Sequence, residues 1–283
     1  MAPPLNFTLV MPTVTLTPPV GKLPGAAPES PGLFRMLGAT SRDGLTFTPT
    51  GIVADQANVP DLVTDRNGTL YLYYTAGVVN GVRDGMAVAV STDAHTWTHY
   101  PVHIAGQVAT PTDPDVVVLP DGTFRLFYTA PNGASPGVHW ADGKDGRTFS
   151  YGGLAFAPSG GAMDPNTWKQ GDTWHMLTLD GRSEPLLHAT SQDGRTFTSA
   201  PPVRFDGRDI VSNAVHVDGG IRMFAFTKGA IFSYLATDGL RFTKERGARI
   251  AQGAQGEGAY LKDAAVARLR DGTWFAAYVT PIP

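Results

Sequence analysis

The side chains best placed to do chemistry are aspartates that recur at nearly constant spacing. Asp61, Asp115 and Asp164, followed by Asn213 and Ala265, each stand seven residues before a turn glycine, at spacings of 54, 49, 49 and 52 residues. Two positions earlier in each unit stand Val59, Asp113, Ala162, Val211 and Asp263. If these positions converge, several carboxyl groups share one site. Like charges at close range raise one another's pKa, so one carboxyl can keep its proton near neutral pH while a neighbour stays ionised. That is the equipment of general acid–base catalysis, and equally of a polar ligand site.

The elements that would position them are hairpins. In Asp113-Pro-Asp-Val-Val-Val-Leu-Pro-Asp-Gly-Thr-Phe-Arg-Leu-Phe-Tyr-Thr129, a β-branched run precedes a Pro-Asp-Gly turn and an aromatic second strand. Asp113 and Asp115 fall on one face because strand side chains repeat every second residue. Four more hairpins begin at Asp61, Asp164, Asn213 and Ala265. A period near fifty with strand content indicates propeller blades.

A second repeat interleaves with the first: Ser41-Arg-Asp-Gly-Leu-Thr-Phe47, Ser91-Thr-Asp-Ala-His-Thr-Trp97, Gly143-Lys-Asp-Gly-Arg-Thr-Phe149, Ser191-Gln-Asp-Gly-Arg-Thr-Phe197 and Ala236-Thr-Asp-Gly-Leu-Arg-Phe242. Here the Asp accepts backbone N–H groups, Gly takes the positive φ, and the aromatic packs beneath the turn. These five aspartates are structural. In the first blade, Asp61–Thr64 is the innermost strand, followed by Leu70–Thr75, Met86–Val90 and an outer strand over Thr96–Ile104. The first turn precedes any innermost strand and the last hairpin has no turn after it. Leu33–Thr40 and Phe47–Val53 therefore complete the blade begun at Asp263. The expectation is an all-β chain: a five-bladed β-propeller of four-stranded antiparallel blades, the last closed by strands from both termini.

Composition agrees and excludes other classes. The 283 residues include 33 Gly and 23 Pro, which suits a turn-rich β fold. A net charge of −3 without a basic stripe disfavours nucleic acid or an anionic membrane as partner. There is no cysteine, hence no thiolate metal site, and no apolar run long enough to span a bilayer. Residues 1–31, with eight prolines, read as a loosely ordered tail or as an extended arm along the body; residues 32–283 form the propeller domain. The tail lacks a signal peptide's pattern; if one has been removed, a secreted or periplasmic location is favoured. Oligomeric state is left open.

The units resemble the hairpins of five-bladed glycosidases of families 43, 32 and 62, in which Asp-Pro-x-Val/Ile leads to Tyr-Tyr-Leu-Tyr. Asp113-Pro-Asp, Asp164-Pro-Asn and Leu70-Tyr-Leu-Tyr-Tyr carry the resemblance. The Asp-Gly turns resemble the sialidase Asp box, one residue shorter between Asp and Gly. The resemblance implies a glycoside hydrolase acting on a poly- or oligosaccharide at the central channel mouth. It implies a base Asp from the first blade, a pKa-tuning Asp from a later one and an acid Glu from the fourth. Carried over, Asp61 matches the base and Asp164 the tuner. With the turn counted differently the base position falls on Val59, and Asp113 becomes the better base. Val211–Asn213 offers no Glu. Of the four glutamates, Glu29, Glu184, Glu245 and Glu257, the last stands in Gly-Glu-Gly-Ala, a context similar to the family's acid.

The candidate catalytic set is thus Asp61, Asp113, Asp164 and Glu257. Asp115, Trp168, Asn213, His216 and Asp263 are candidate substrate-binding residues. Each carboxylate also has a bland reading, a strand-end Asp capping backbone N–H groups, and Glu257 that of a solvated loop residue. His139, His175, His188 and His216 lack metal-ligand spacing. Trp140, Trp174 and Trp274 read as blade packing, whereas Trp168 could stack on a sugar. No cofactor is implied; a structural calcium in the channel has no motif behind it. Two alternatives compete with the hydrolase: a non-catalytic propeller binding glycan or protein on the same face, and a sialidase-like enzyme. The latter would need an arginine cluster, and Arg35, Arg83, Arg182, Arg208 and Arg222 are scattered.

Overall fold

The computed structural model of the chain describes residues 14–107, 109–180, 186–227 and 229–283. It is an all-β, five-bladed propeller. Blade 1 runs Ala57–Thr64, Leu70–Val79, Val82–Ser91 and Thr98–Pro101 from the axis outward. Blade 2 runs Thr112–Val118, Phe124–Asn132, Ser135–Gly143 and Thr148–Phe156; blade 3 runs Met163–Gln170, Thr173–Leu179, Leu186–Ser191 and Thr198–Ser199. Blade 4 runs Ile210–Val217, Gly220–Thr227, Ala230–Ala236 and Arg241–Lys244. Blade 5 takes Lys262–Arg268 and Trp274–Pro281 from the C-terminus, then Phe34–Ser41 and Thr48–Asp55 from the N-terminal half. Closure is therefore by both ends, with Phe34 opposite Pro281 and Ser41 opposite Trp274.

One outer strand differs from expectation. Thr96–Ile104 is not a single strand: Thr98–Pro101 ends blade 1, and His103–Ala105 crosses to pair in parallel with Thr148–Ser150 of blade 2. Arg204–Phe205 does the same on blade 4, beside Arg241–Phe242. Each of these connections covers the outermost strand's free edge with backbone partners.

The core is five seams, one between each pair of blades. Met36 and Phe275 meet Leu72 and Tyr74 between blades 5 and 1. Tyr73 and Val88 meet Leu126 and Phe149 at the next seam, Phe127 meets Met176 and Phe197, and Trp168 and Leu177 meet Ile221 and Phe242. Phe224 and Ile231 meet Phe47 and Trp274 at the last. Each fully buried large side chain contributes about 1.5–3 kcal/mol, so the ring is held by packing repeated five times.

The five Asp-Gly-type turns behave as the sequence requires. Asp43, Asp93, Asp145, Asp193 and Asp238 each accept two backbone N–H groups within their turn, as with Leu45 and Thr46 on Asp43 Oδ1, both at 2.8 Å. Those bonds hold the Asp43 carboxyl down at about 2. Arg125 then ties blade 2 to the blade 3 turn. Its guanidinium pairs with Asp142 (2.9 and 2.8 Å) and donates to the carbonyls of Asp193 and Gly194.

Candidate functional site at the channel mouth

The innermost strands do not alternate cleanly where they begin. Pairing slips between Asn58 and Asp61, Thr112 and Asp115, Met163 and Asn166, Val211 and Asn213, and Lys262 and Ala264. Within four of these bulges a non-glycine residue has positive φ: Val59 (48°), Asp113 (50°), Asp164 (52°) and Asp263 (39°). Such conformations are costly for L-residues and persist only where surrounding structure enforces them. Part of that enforcement is visible: the Asp113 N–H donates to Thr75 Oγ1 (3.1 Å), and the Asp164 N–H donates to Thr129 Oγ1 (3.0 Å), each on the preceding blade.

The bulges sort the candidates into two layers. Beyond them Asp61 lies opposite Tyr73, Asp115 opposite Phe127, Asn166 opposite Leu177, Asn213 opposite Phe224 and Ala265 opposite Ala277. Asn166, not Asp164, is therefore the blade 3 equivalent of Asp61 and Asp115. The third hairpin turn is two residues shorter than the glycine spacing assumed, which moves Asp164 up to the level of Asp113 and Asp263. Alignment on the proline of Val59-Pro-Asp61, Asp113-Pro-Asp115 and Asp164-Pro-Asn166 carries that register in the sequence itself.

The lower layer latches blades together. Asp61 Oδ2 accepts the Val116 N–H of blade 2 (2.7 Å) and Asp61 Oδ1 accepts Asn213 Nδ2 (3.0 Å). Asp115 Oδ2 accepts the Thr167 hydroxyl of blade 3 (2.6 Å), and Asn213 Oδ1 accepts the Val266 N–H of blade 5 (3.0 Å). Both carboxyls are buried, at 5% and 6% exposure. Burial raises Asp61 to about 7 and drives Asp115 well above the carboxylate range, with the Asp61 charge adding to the latter. Asn166 is equally buried, but its Oδ1 has no hydrogen-bond partner among the described residues. Ala265 has no polar group to offer, so the blade 5–1 seam lacks this latch.

The upper layer is the mouth. Asp113, Asp164 and Asp263, with Lys262, line a pocket of about 250 Å³ whose walls include Val59, Val211, Leu179 and Phe226. Burial raises Asp113, and burial followed by the charges of Asp113 and Asp263 raises Asp164 well above the ordinary value. Asp164 also shares a hydrogen bond with Asp113. Lys262 Nζ lies 3.3 Å from Asp263 Oδ2. Burial works against the lysine's charge, but its carboxylate neighbours more than offset that and raise its pKa. The mouth thus juxtaposes a carboxyl that holds its proton and a carboxylate paired with an ammonium. Lys262 was not among the sequence candidates, although it adjoins Asp263.

The remaining candidates lie elsewhere. Glu257 is outside the pocket lining: its carboxylate accepts the N–H of Gly253 and of Ala254 (2.9 Å) and the Tyr278 hydroxyl (2.9 Å), bracing its own loop. Trp168 and His216 line a second cavity, about 360 Å³, toward the opposite end of the channel. Trp168 is 3% exposed, stacked on His175 with centroids 5.2 Å apart, and acts as seam packing rather than an open platform. His216 is exposed on that cavity's wall. Of the arginines, Arg35 is committed to Asp55 and Arg222 to Glu245; Arg182, like Glu184, lies outside the described residues. Among the described residues no group of three or more His, Asp or Glu is arranged to hold a metal ion.

No family model matches the chain, and no curated protein matches it. Solved structures do. A thermostable family-43 glycoside hydrolase superposes with a TM-score of 0.63 at 15% identity, covering 79% of this chain and 88% of its own. A glycosyl hydrolase from Bacteroides ovatus gives 0.55 at 18% identity, covering 80% and 87%. An N-acetylgalactosamine deacetylase from F. plautii gives 0.59 at 12% identity, covering 83% and 82%. At these identities the likeness is one of fold, and the chain shares its five-bladed propeller with glycoside hydrolases.

Proposed function

We propose that the chain is a carbohydrate-active propeller that hydrolyses a glycosidic bond at the mouth formed by Asp113, Asp164 and Asp263. The observation that carries the reading is three carboxyl groups in different electrostatic settings around one pocket. Asp164, raised by burial and by its acidic neighbours, acts as proton donor to the leaving oxygen. Asp263, paired with Lys262, takes the proton of the water that attacks the anomeric carbon as the leaving oxygen departs with the proton of Asp164, and Asp113 beside Asp164 holds it in its protonated form. The pocket suits one sugar residue, and Val59, Val211, Leu179 and Phe226 give its walls apolar surface beside the carboxyls. The sharing of the fold with glycoside hydrolases points the same way.

A specific observation favours a second reading, glycan binding without turnover. Valines, Val59 and Val211, stand in blades 1 and 4, where the resemblance implied a base and an acid. Hydrolysis of aryl arabinofuranosides, xylosides, fructosides and sialosides by the wild type and Asp164→Asn separates the two. Turnover that falls at least about a thousandfold in the variant supports the hydrolase. Wild-type activity should fade as pH rises past the raised pKa of Asp164. No turnover on any substrate, with glycan binding intact, establishes the binding module instead.

A further inference from the structure

The N-terminal arm reaches the mouth. Leu16 N–H donates to the His99 carbonyl (2.7 Å), the Gly21 N–H to Asp55 Oδ2 (2.6 Å), Gln56 Nε2 to the Gly21 carbonyl (3.1 Å) and Ser30 Oγ to Asp84 Oδ1 (3.2 Å). The arm so fixed runs past the blade 5–1 seam, the one where Ala265 supplies no latch. It ends at a short 3₁₀ turn, Pro31–Leu33, capped by Ser30.

One residue before that cap stands Glu29, held at φ 63° and 73% exposed at its side chain. Its Oε2 lies 3.7 Å from Lys262 Nζ, the same ammonium that contacts Asp263 at 3.3 Å. Lys262 Nζ also sits 4.5 Å above the Phe34 ring. Lys262 thus stands between Asp263, inside the pocket, and Glu29, whose largely exposed carboxylate is presented to solvent beside it. The other described glutamates are committed elsewhere, Glu245 to Arg222 and Ser233, and Glu257 to its own loop. Tyr260, half-buried and two residues before Lys262, has its phenol pushed up by burial and then by the charge of Glu29.

We propose, resting on the carbohydrate reading above, that Glu29, Tyr260 and Lys262 form a second sugar subsite beside the pocket. The site then takes an oligosaccharide, with one unit in the pocket and the next against the arm. The chemistry is that of sugar recognition. A carboxylate accepts from two neighbouring hydroxyls, an ammonium donates to a third, and an aromatic face covers ring C–H groups. The N-terminal arm is on this account part of the site.

The test compares wild type, Glu29→Gln and Tyr260→Ala on arabino-, xylo- and fructo-oligosaccharides of one to four units. Both kcat/KM and equilibrium binding are read. Wild type should gain in both from the second unit, and each variant should lose that gain by about tenfold, the worth of a charge-assisted hydrogen bond for Glu29 and of a covering aromatic face for Tyr260. Melting temperatures within about 2 °C of wild type exclude a merely structural effect. A chain-length gain equal in all three proteins overturns the subsite while leaving hydrolysis standing. Binding without cleavage, weakened in the variants, keeps the subsite and sinks the hydrolase. No oligosaccharide binding by wild type overturns both.

Discussion

Replacing Asp115 by Asn should stabilise the protein, and should do so only at high pH. Asp115 and Asp61 are buried carboxyls in the lower channel layer, and both pKa values are raised, first by burial. A carboxyl whose folded pKa exceeds its unfolded value binds its proton more tightly when folded. Its stabilising contribution is complete below the unfolded pKa, near 3.8, and is lost as pH rises through the folded one. For Asp61 the rise from 3.8 to about 7 corresponds to roughly 4 kcal/mol lost between about pH 4 and pH 7. Asp115, driven higher, adds a cost of the same sign. Asn preserves the geometry. Its Oδ1 can take the Thr167 N–H bond, and its Nδ2 can donate to Thr167 Oγ1, whose hydrogen turns away. The variant should therefore be more stable than wild type by about 2–4 kcal/mol at pH 8 and within about 1 kcal/mol at pH 5. Urea unfolding followed by tryptophan fluorescence at the two pH values measures both. A wild-type stability flat from pH 4 to 8, or a variant destabilised equally at both, would refute the argument. In that case Asp115 is ionised in the fold and its bonds to Thr167 outweigh its burial.

Three further substitutions probe the frame. Gly194→Ala places a Cβ at φ 64°, 2.6 Å from Trp174 Cε2, and should cost about 2–4 kcal/mol; Gly171→Ala, at φ 58° with nothing within 4 Å, should cost only about 1–2 kcal/mol in the same unfolding assay. Arg125→Ala strips Asp142 and the carbonyls of Asp193 and Gly194 of their buried donor. It should cost about 3–5 kcal/mol and lower the melting temperature without changing ligand affinity at the mouth.

Much of the architecture is legible in the chain because it is written locally and repeated. A turn aspartate, the glycine after it (in one turn Ala94, which takes the same positive φ) and the aromatic that follows act within seven residues, so Ser41–Phe47 and its four counterparts mark outer hairpins by their own chemistry. The count of turns against inner hairpins then requires both termini in blade 5, and Phe34–Ser41 does pair with Trp274–Pro281. What stayed hidden depends on contacts between blades. The positive-φ bulges at Val59, Asp113, Asp164 and Asp263 divide aspartates of one spacing into a buried latch and an open mouth. The two carboxyls of the buried layer, Asp61 and Asp115, take their partners from blades 2, 3 and 4. Glu29 and Lys262 stand far apart in the chain, yet the arm brings them to 3.7 Å. Local sequence sets which residues turn and which extend. Depth, burial and the company a carboxyl keeps are decided only when the ring closes, because desolvation and charge act through space and not along the chain.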